Sequence, residues 1–286
     1  MMNELYLIHP LIAYTLLGIF SLIVGSFLNV LIYRLPIMLH HEWRMECRSF
    51  LQLSEESTKK INLFYPRSFC TGCNNMVTAW QNIPLLSYLF LRGRCGHCQQ
   101  HISLRYPLVE LLCMCLSLFA GWVFGFNLTL IFALLFIWLM ISMFFIDLQN
   151  QLLPDTLSLS LLWLGLIANT QSLFTNLSVA VFSAAAAYIS LWLFIKLFYL
   201  VTKKTGMGHG DFKLFAAFGA WFGWTQLPLI LMLSSLSGAV IGLIYLKISG
   251  KNRDTPIPFG PFLCIAGLVS LFYGKQIVSW YLKMLL

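Results

Sequence analysis

Charged side chains are scarce in this sequence. They make up 10% of its 286 residues, against roughly 25% in soluble domains. With 59% hydrophobic residues and a mean hydropathy of +0.80, that scarcity excludes a soluble globular protein and leaves a polytopic membrane protein. Several catalytic signatures are missing too. There is no Ser-His-Asp order, no His-Glu-x-x-His zinc motif and no glycine-rich dinucleotide turn. No internal repeat or low-complexity tract stands out. The net charge is +8, yet the basic residues form no patch for nucleic acid. Nine of the 18 Lys and Arg lie between Arg34 and Arg105, and most others sit near the ends of apolar runs, as in cytoplasmic loops. Met1 to Pro10 has no Lys or Arg, and residues 11–33 outrun a signal h-region, so a retained span is expected there.

What is present is apolar runs long enough to cross a bilayer, which takes about 20 residues. They cover residues 11–33, 108–126, 128–146, 154–173, 177–201, 211–227, 228–246 and 259 onward. The expected fold is an all-α membrane protein of about eight spans. The fourth and sixth are the weakest, being short or rich in small residues. The expected organisation is a first span (1–33), a polar cytoplasmic domain (34–105) and a seven-span domain (106–286). Lys and Arg place residues 34–105, 147–155, 203–211 and 247–253 on the cytoplasmic side and both termini outside. Gly121-x-x-x-Gly125, Gly219-x-x-x-Gly223 and Gly238-x-x-x-Gly242 read as bundle packing.

Cys70-Thr71-Gly72-Cys73 is followed, 21 residues later, by Cys95-Gly96-His97-Cys98. Two such knuckles match a four-thiolate structural zinc site. A pair of disulfides is the alternative, and a reducing cytoplasm disfavours it. Zinc would fold a polar segment too small to hold a core alone. Cys113, Cys115 and Cys264 lie in apolar runs and read as packing residues.

Three aspartates end or open apolar runs. Carboxylates in hydrocarbon are costly, so their default reading is functional. Asp147 stands at a C-terminal helix end, where the macrodipole disfavours negative charge, so a structural role explains it poorly. Asp155, after Pro154, reads equally as a helix cap. Asp211 follows Gly206, Gly208 and Gly210, whose alternation suits close approach of an extended peptide. Lys213 reads as a snorkelling side chain. Asp147 and Asp211, on separate segments, have the makings of an aspartic protease dyad sharing one proton.

The chain resembles the bacterial prepilin peptidases, or type IV leader peptidases, nearly end to end. The motifs are Gly25-Ser26-Phe27-Leu28-Asn29-Val30-x-Ile32-Tyr33-Arg34-Leu35-Pro36, Pro66-Arg67-Ser68-x-Cys70, Asn82-Ile83-Pro84-Leu85-Leu86-Ser87 and Leu91-Arg92-Gly93-Arg94-Cys95. Ile102-Ser103-x-Arg105-Tyr106-Pro107-Leu108-Val109-Glu110 and Gly208-His209-Gly210-Asp211 complete the set. The resemblance implies cleavage of type IV prepilin and type II pseudopilin leaders after a glycine, at the cytoplasmic face of the inner membrane. It makes Asp147 and Asp211 the catalytic residues. It also implies methylation of the new N-terminus with S-adenosylmethionine, an activity that the residues alone would not have suggested. Gly93 and the surrounding knuckles are where that donor is expected to bind. Thr71-Gly72 departs from the family, which often has proline after the first cysteine, and residues 38–64 match no motif.

Three other readings compete. A protease without methyl transfer would share the aspartates. A proton-coupled transporter would want midplane carboxylates and inverted repeats, whereas these acids lie at span ends. A zinc-stabilised scaffold leaves the Gly-x-Gly-Asp element unexplained.

Overall fold

In a computed structural model, residues 9–53, 61–70, 72–78, 80–203, 207–249 and 257–285 are described. The chain divides into two compact units, Met1–Gly125 and Phe126–Leu286. Six of the described helices are long and apolar enough to cross a membrane.

In the first unit, α1 (Pro10–Phe50) packs against α3 (Arg105–Phe124), with the short α2 (Leu86–Phe90) between them in sequence. Gly25 is the point of closest approach. A Cβ there would lie 2.9 Å from the Glu110 Cα, so only glycine lets the two backbones meet. The buried Asn29 amide donates to the Tyr106 carbonyl at 3.0 Å. α1 does not stop at Tyr33. It continues through Arg34 and Pro36 for 41 residues, about 62 Å. Arg34 is buried, and its guanidinium donates to the carbonyls of Asn62 (2.9 Å), Leu63 (3.3 Å) and Pro66 (2.6 Å). A charge at an apparent span end is thus an internal tie for the segment that folds back.

The second unit comprises α4 (Leu128–Asn150), α5 (Asp155–Thr170), α6 (Leu177–Thr202), α7 (His209–Phe222), α8 (Leu227–Ser249) and α9 (Gly260–Leu285). α5 and α7 are the fourth and sixth expected spans. At 16 and 14 residues they reach about 24 and 21 Å, short of the roughly 30 Å of hydrocarbon. α7 touches α5, α6, α8 and α9 and, Lys213 apart, is buried from Asp211 to Phe222. Its contact with α6 is backbone to backbone. A Cβ on Gly219 would meet the Ser183 carbonyl oxygen at 2.6 Å. Gly223 instead closes the helix with a φ of +73°, so this glycine pair divides between packing and capping.

The far end of α7 is held by Asn169, which is fully buried. Its amide donates to the carbonyls of Ala220 (2.7 Å) and Trp221 (3.1 Å), two of the four that a helix end leaves unpaired. Its oxygen accepts from the Phe174 and Thr175 N–H groups, each at 3.0 Å. Beside it the Trp221 indole donates to the Leu161 carbonyl at 2.8 Å and packs on Phe136 and Phe174. Replacing Asn169 by alanine strands four buried backbone groups, each worth about 1–3 kcal/mol. Asn169→Ala is expected to destabilise the second unit by about 3 kcal/mol or more, read as a lowered thermal midpoint in detergent.

Candidate functional site

Asp147 and Asp211 converge within the second unit. Asp147 lies in the last turn of α4, which ends where the Gln151 N–H caps the Asp147 carbonyl with Gln151 left-handed. Asp211 lies in the first turn of α7. The carboxylates are 5% and 7% exposed and close enough for their charges to interact.

Each is received by a helix N-terminus, where free N–H groups and the macrodipole favour negative charge. Asp211 Oδ2 accepts from the Gly208 N–H at 3.2 Å, while the Asp211 N–H returns to the Gly208 carbonyl at 3.2 Å. Its other oxygen, Oδ1, is buried with no hydrogen-bond partner. The helix cap therefore uses only half of the carboxylate. Asp147 is met by the backbone N–H of Gly260, the first residue of α9. A Cβ on Gly260 would sit 2.5 Å from Asp147 Oδ2, so a side chain here would collide with the acid. Leu153 ties the two halves together. It lies 2.7 Å from where a Gly210 Cβ would be and 3.0 Å from where a Gly260 Cβ would be. One turn along α9, Cys264 is buried.

The glycine alternation has a different basis from an extended loop. Gly208 is extended, but His209 and Gly210 are already helical, and Gly210 is required by Leu153. Gly206 lies outside the described residues. Lys213 does not simply snorkel. Its ammonium pairs with Asp155 at 2.6 Å, tying the first turns of α5 and α7. Asp155 is not the cap of α5, since Pro154 holds that position. Sequence reasoning passed over Leu153 and Gly260. A glycine between Pro258 and Pro261, opening an apolar run, was the available signal for the second.

In the first unit the four sulfurs of Cys70, Cys73, Cys95 and Cys98 lie within 4.8 Å of one another and could hold a metal ion. None of these cysteines is in a disulfide. The two knuckles are copies. In each, the first cysteine N–H bonds the carbonyl five residues on, Asn75 or Gln100. The N–H four residues on, of Asn74 or Gln99, returns to the cysteine carbonyl. Asn74 and Gln99 have matching φ values of +56° and +59°, and each knuckle is closed by one antiparallel bridge, Phe69 to Met76 and Arg94 to His101. The Cys73 and Gly72 N–H groups lower the Cys70 thiol to about 6, and the Cys98 and His97 N–H groups lower that of Cys95. Cys98 goes the other way, to about 11. The Gln100 N–H lowers it, but desolvation and the other three thiols raise it more. Four thiolates this close repel, and a bound cation is what would let all four ionise.

Gly93 opens the second knuckle. It is buried with a φ of +68°, and a Cβ there would lie 2.7 Å from the Tyr88 hydroxyl. That contact requires glycine at this position.

Comparison with known proteins follows the same division. Residues 19–124 match the bacterial peptidase A24 N-terminal domain, and residues 134–243 match the type IV leader peptidase family. A prepilin leader peptidase/N-methyltransferase of Legionella pneumophila is 61% identical over 283 residues, 99% of each chain. Proteins of the same name from Stutzerimonas stutzeri and Aeromonas hydrophila are 50% and 49% identical. They cover 93% and 96% of this chain, and 92% and 95% of their own. No solved structure matches.

The geometry around Asp147 sets an expectation for stability. Gly260→Ala forces a methyl onto Asp147 Oδ2 and is expected to lose about 1–3 kcal/mol by overpacking. Gly208→Ala, whose methyl would meet only Asp211 Oδ2 at an ordinary 3.6 Å, is expected to lose about 1 kcal/mol or less. Thermal unfolding of the two variants in detergent compares them.

Proposed function

The chain belongs to the type IV leader peptidase family, and from that premise we propose that Asp147 and Asp211 are the two carboxylates with which it cleaves prepilin leaders. The observation that carries this reading is the pair itself. Two buried acids from separate helices are each received by a helix N-terminus, with one oxygen of Asp211 left unbonded. The protein is an enzyme of two activities, leader cleavage and N-methylation, as its relatives' shared name states.

For cleavage, one carboxylate accepts a proton from water as the water oxygen attacks the scissile carbonyl. The other, protonated, donates a hydrogen bond to that carbonyl and later supplies the leaving amine with a proton. Substrates are prepilins and pseudopilins cut after a glycine. Helix N-termini suit this cycle because they stabilise an anion without supplying a competing proton donor side chain. In this reading α5 and α7 complete eight crossings. α7 is packed against α5, α6, α8 and α9. The catalytic side and the cysteine module face the cytoplasm of the inner membrane.

The cysteine cluster fits zinc. A tetrahedral site with Zn–S near 2.3 Å has sulfurs about 3.8 Å apart, and the Cys70 and Cys98 sulfurs are 3.8 Å apart. Cys70, Cys73, Cys95 and Cys98 would hold the ion in a structural role. S-adenosylmethionine, the expected methyl donor, supplies an electrophilic methyl group for the new N-terminal amine. Gly93 serves that activity through shape, by letting Tyr88 close on the second knuckle.

Asp147→Asn and Asp211→Asn are each expected to abolish leader removal in a folded protein, because an amide cannot take the proton. Asp155→Asn breaks only a partly exposed ion pair, worth about 1 kcal/mol at most, and is expected to keep most activity. Co-expression with a prepilin, followed by mass spectrometry of the pilin N-terminus, reads cleavage and methylation together. Near wild-type processing by either of the first two variants would overturn the assignment. Metal analysis of the purified chain is expected to find about one zinc, lost with Cys70→Ser. Absence of metal from an active wild-type enzyme would remove the zinc assignment.

A further inference from the structure

We propose that α2 and the turn before it are a membrane-interface foot: Leu86, Leu89, Phe90 and Trp80 face the acyl-chain boundary of the bilayer, and Arg92 and Arg94 meet its anionic headgroups. The inference rests on the membrane reading of α3 and not on the carboxylate pair.

Depth is the first observation. The Leu85 N–H donates to Glu110 Oε2 at 2.8 Å. Glu110 is the sixth residue of α3, and its backbone is also what Gly25 of α1 touches. α3 has 20 residues, about 30 Å, so its whole length is needed to cross the hydrocarbon. The Glu110 backbone therefore lies about 7 Å inside the first residue of that helix, and its side chain, leaning back toward the helix N-terminus, carries the carboxylate toward the boundary between headgroups and acyl chains. The N–H bonded to it is at the same level, and α2 begins at the next residue.

The second observation is the outer face. Leu86, Leu89 and Phe90 fall at positions i, i+3 and i+4, on one side of α2. Leu89 and Phe90 are 70% and 83% exposed, and Trp80, in the adjoining turn that packs on α2, is 82% exposed. In water this surface would be a costly apolar patch. At the interface it is the composition that lipid favours, with aromatic rings at headgroup level. The third observation is charge. Arg92 and Arg94 follow immediately and are exposed, which suits anionic headgroups.

The conformation shows how the foot is held. Leu85 has a φ of +57° and ψ of −48°, and the Leu86 N–H reaches the Pro84 carbonyl at 2.6 Å. That is a strained γ-turn on a residue with a side chain. Glu110 takes the N–H that the turn leaves over, so a carboxylate inside the bilayer helix sets the direction of α2.

The test uses the full chain with p-benzoylphenylalanine in place of Phe90, reconstituted in vesicles of phosphatidylethanolamine and phosphatidylglycerol. Leu111, exposed on α3, carries the probe as a lipid-facing control, and Glu46, exposed on α1 beyond Pro36, as a water-facing one. Zinc content and prepilin cleavage verify that each variant is folded. After illumination, Phe90 is expected to give lipid adducts at a yield like that of Leu111 and about fivefold or more above Glu46. Arg92→Gln with Arg94→Gln should lower that yield in phosphatidylglycerol vesicles but not in phosphatidylcholine. Lipid adducts at Leu111 without any at Phe90 would overturn the proposal and leave the membrane reading of α3 intact. Adducts from Phe90 to added prepilin in place of lipid would overturn it in favour of a substrate surface. Loss of lipid adducts at both positions would overturn it together with the membrane reading of α3.

Discussion

Two carboxylates must be kept in a place that disfavours their charge, and most of the second unit follows from that constraint. A buried acid needs a hydrogen bond, a counter-charge or a proton. The obvious cation, Lys213, is two residues from Asp211 yet pairs with Asp155. What reaches the aspartates is backbone: the N-terminus of α7 for Asp211 and that of α9 for Asp147. Backbone dipoles stabilise a charge without neutralising it. An arginine in their place would fix both acids as anions. Short α7, the glycines that face Leu153 and Asp147, and the Asn169 cap at the far end all serve to fix one helix terminus.

The first unit solves the reverse problem. Its polar module, among the described residues, has little regular structure and two single bridges. It borrows order from the helices that flank it. Arg34 in α1 gathers the carbonyls of Asn62, Leu63 and Pro66, and Glu110 in α3 holds the Leu85 N–H. Arg34 turns to backbone carbonyls, and Glu110 to a backbone N–H and the Ser26 side chain, not to one another. The copied knuckles bring four sulfurs within 4.8 Å of one another, where they could hold a metal ion.

Residue chemistry exposed the site more readily than the architecture. Asp147 and Asp211 were legible because an acid ending an apolar run is costly, and the cysteines because thiolate spacing is a metal's geometry. The packing residues were not. Arg34 reads as the end of a span, and only the folded chain shows that its charge is satisfied by carbonyls, so that α1 continues. Leu153 and Asn169 are ordinary in any window of sequence, since their partners are distant in the chain. The doubling of the knuckles is invisible to a repeat search because only Cys and spacing are shared. The backbone hydrogen bonds that repeat are indifferent to side chain. α5 and α7 were legible as the two weakest apolar runs, and the shortness of α7 has a structural reason. A helix packed against four neighbours need not match the thickness of lipid.

The γ-turn at Leu85 shows how far one carboxylate can set local structure. Strain of this kind costs about 1–3 kcal/mol, and a hydrogen bond to a charged group returns about 1.5–3 kcal/mol. The two are comparable, so the Glu110 contact is enough to hold the turn and little would hold it without. α2 has five residues, far below the length at which a helix persists alone. It is fixed at one end by Glu110 and at the other by Tyr88, whose backbone carbonyl takes the Gly93 N–H at 2.9 Å. Glycine at 93 and glutamate at 110 are therefore requirements of one small element, the first for closeness and the second for direction. That pairs two motifs of the sequence, Leu91-Arg92-Gly93-Arg94-Cys95 and the one ending in Glu110, in a single structural task.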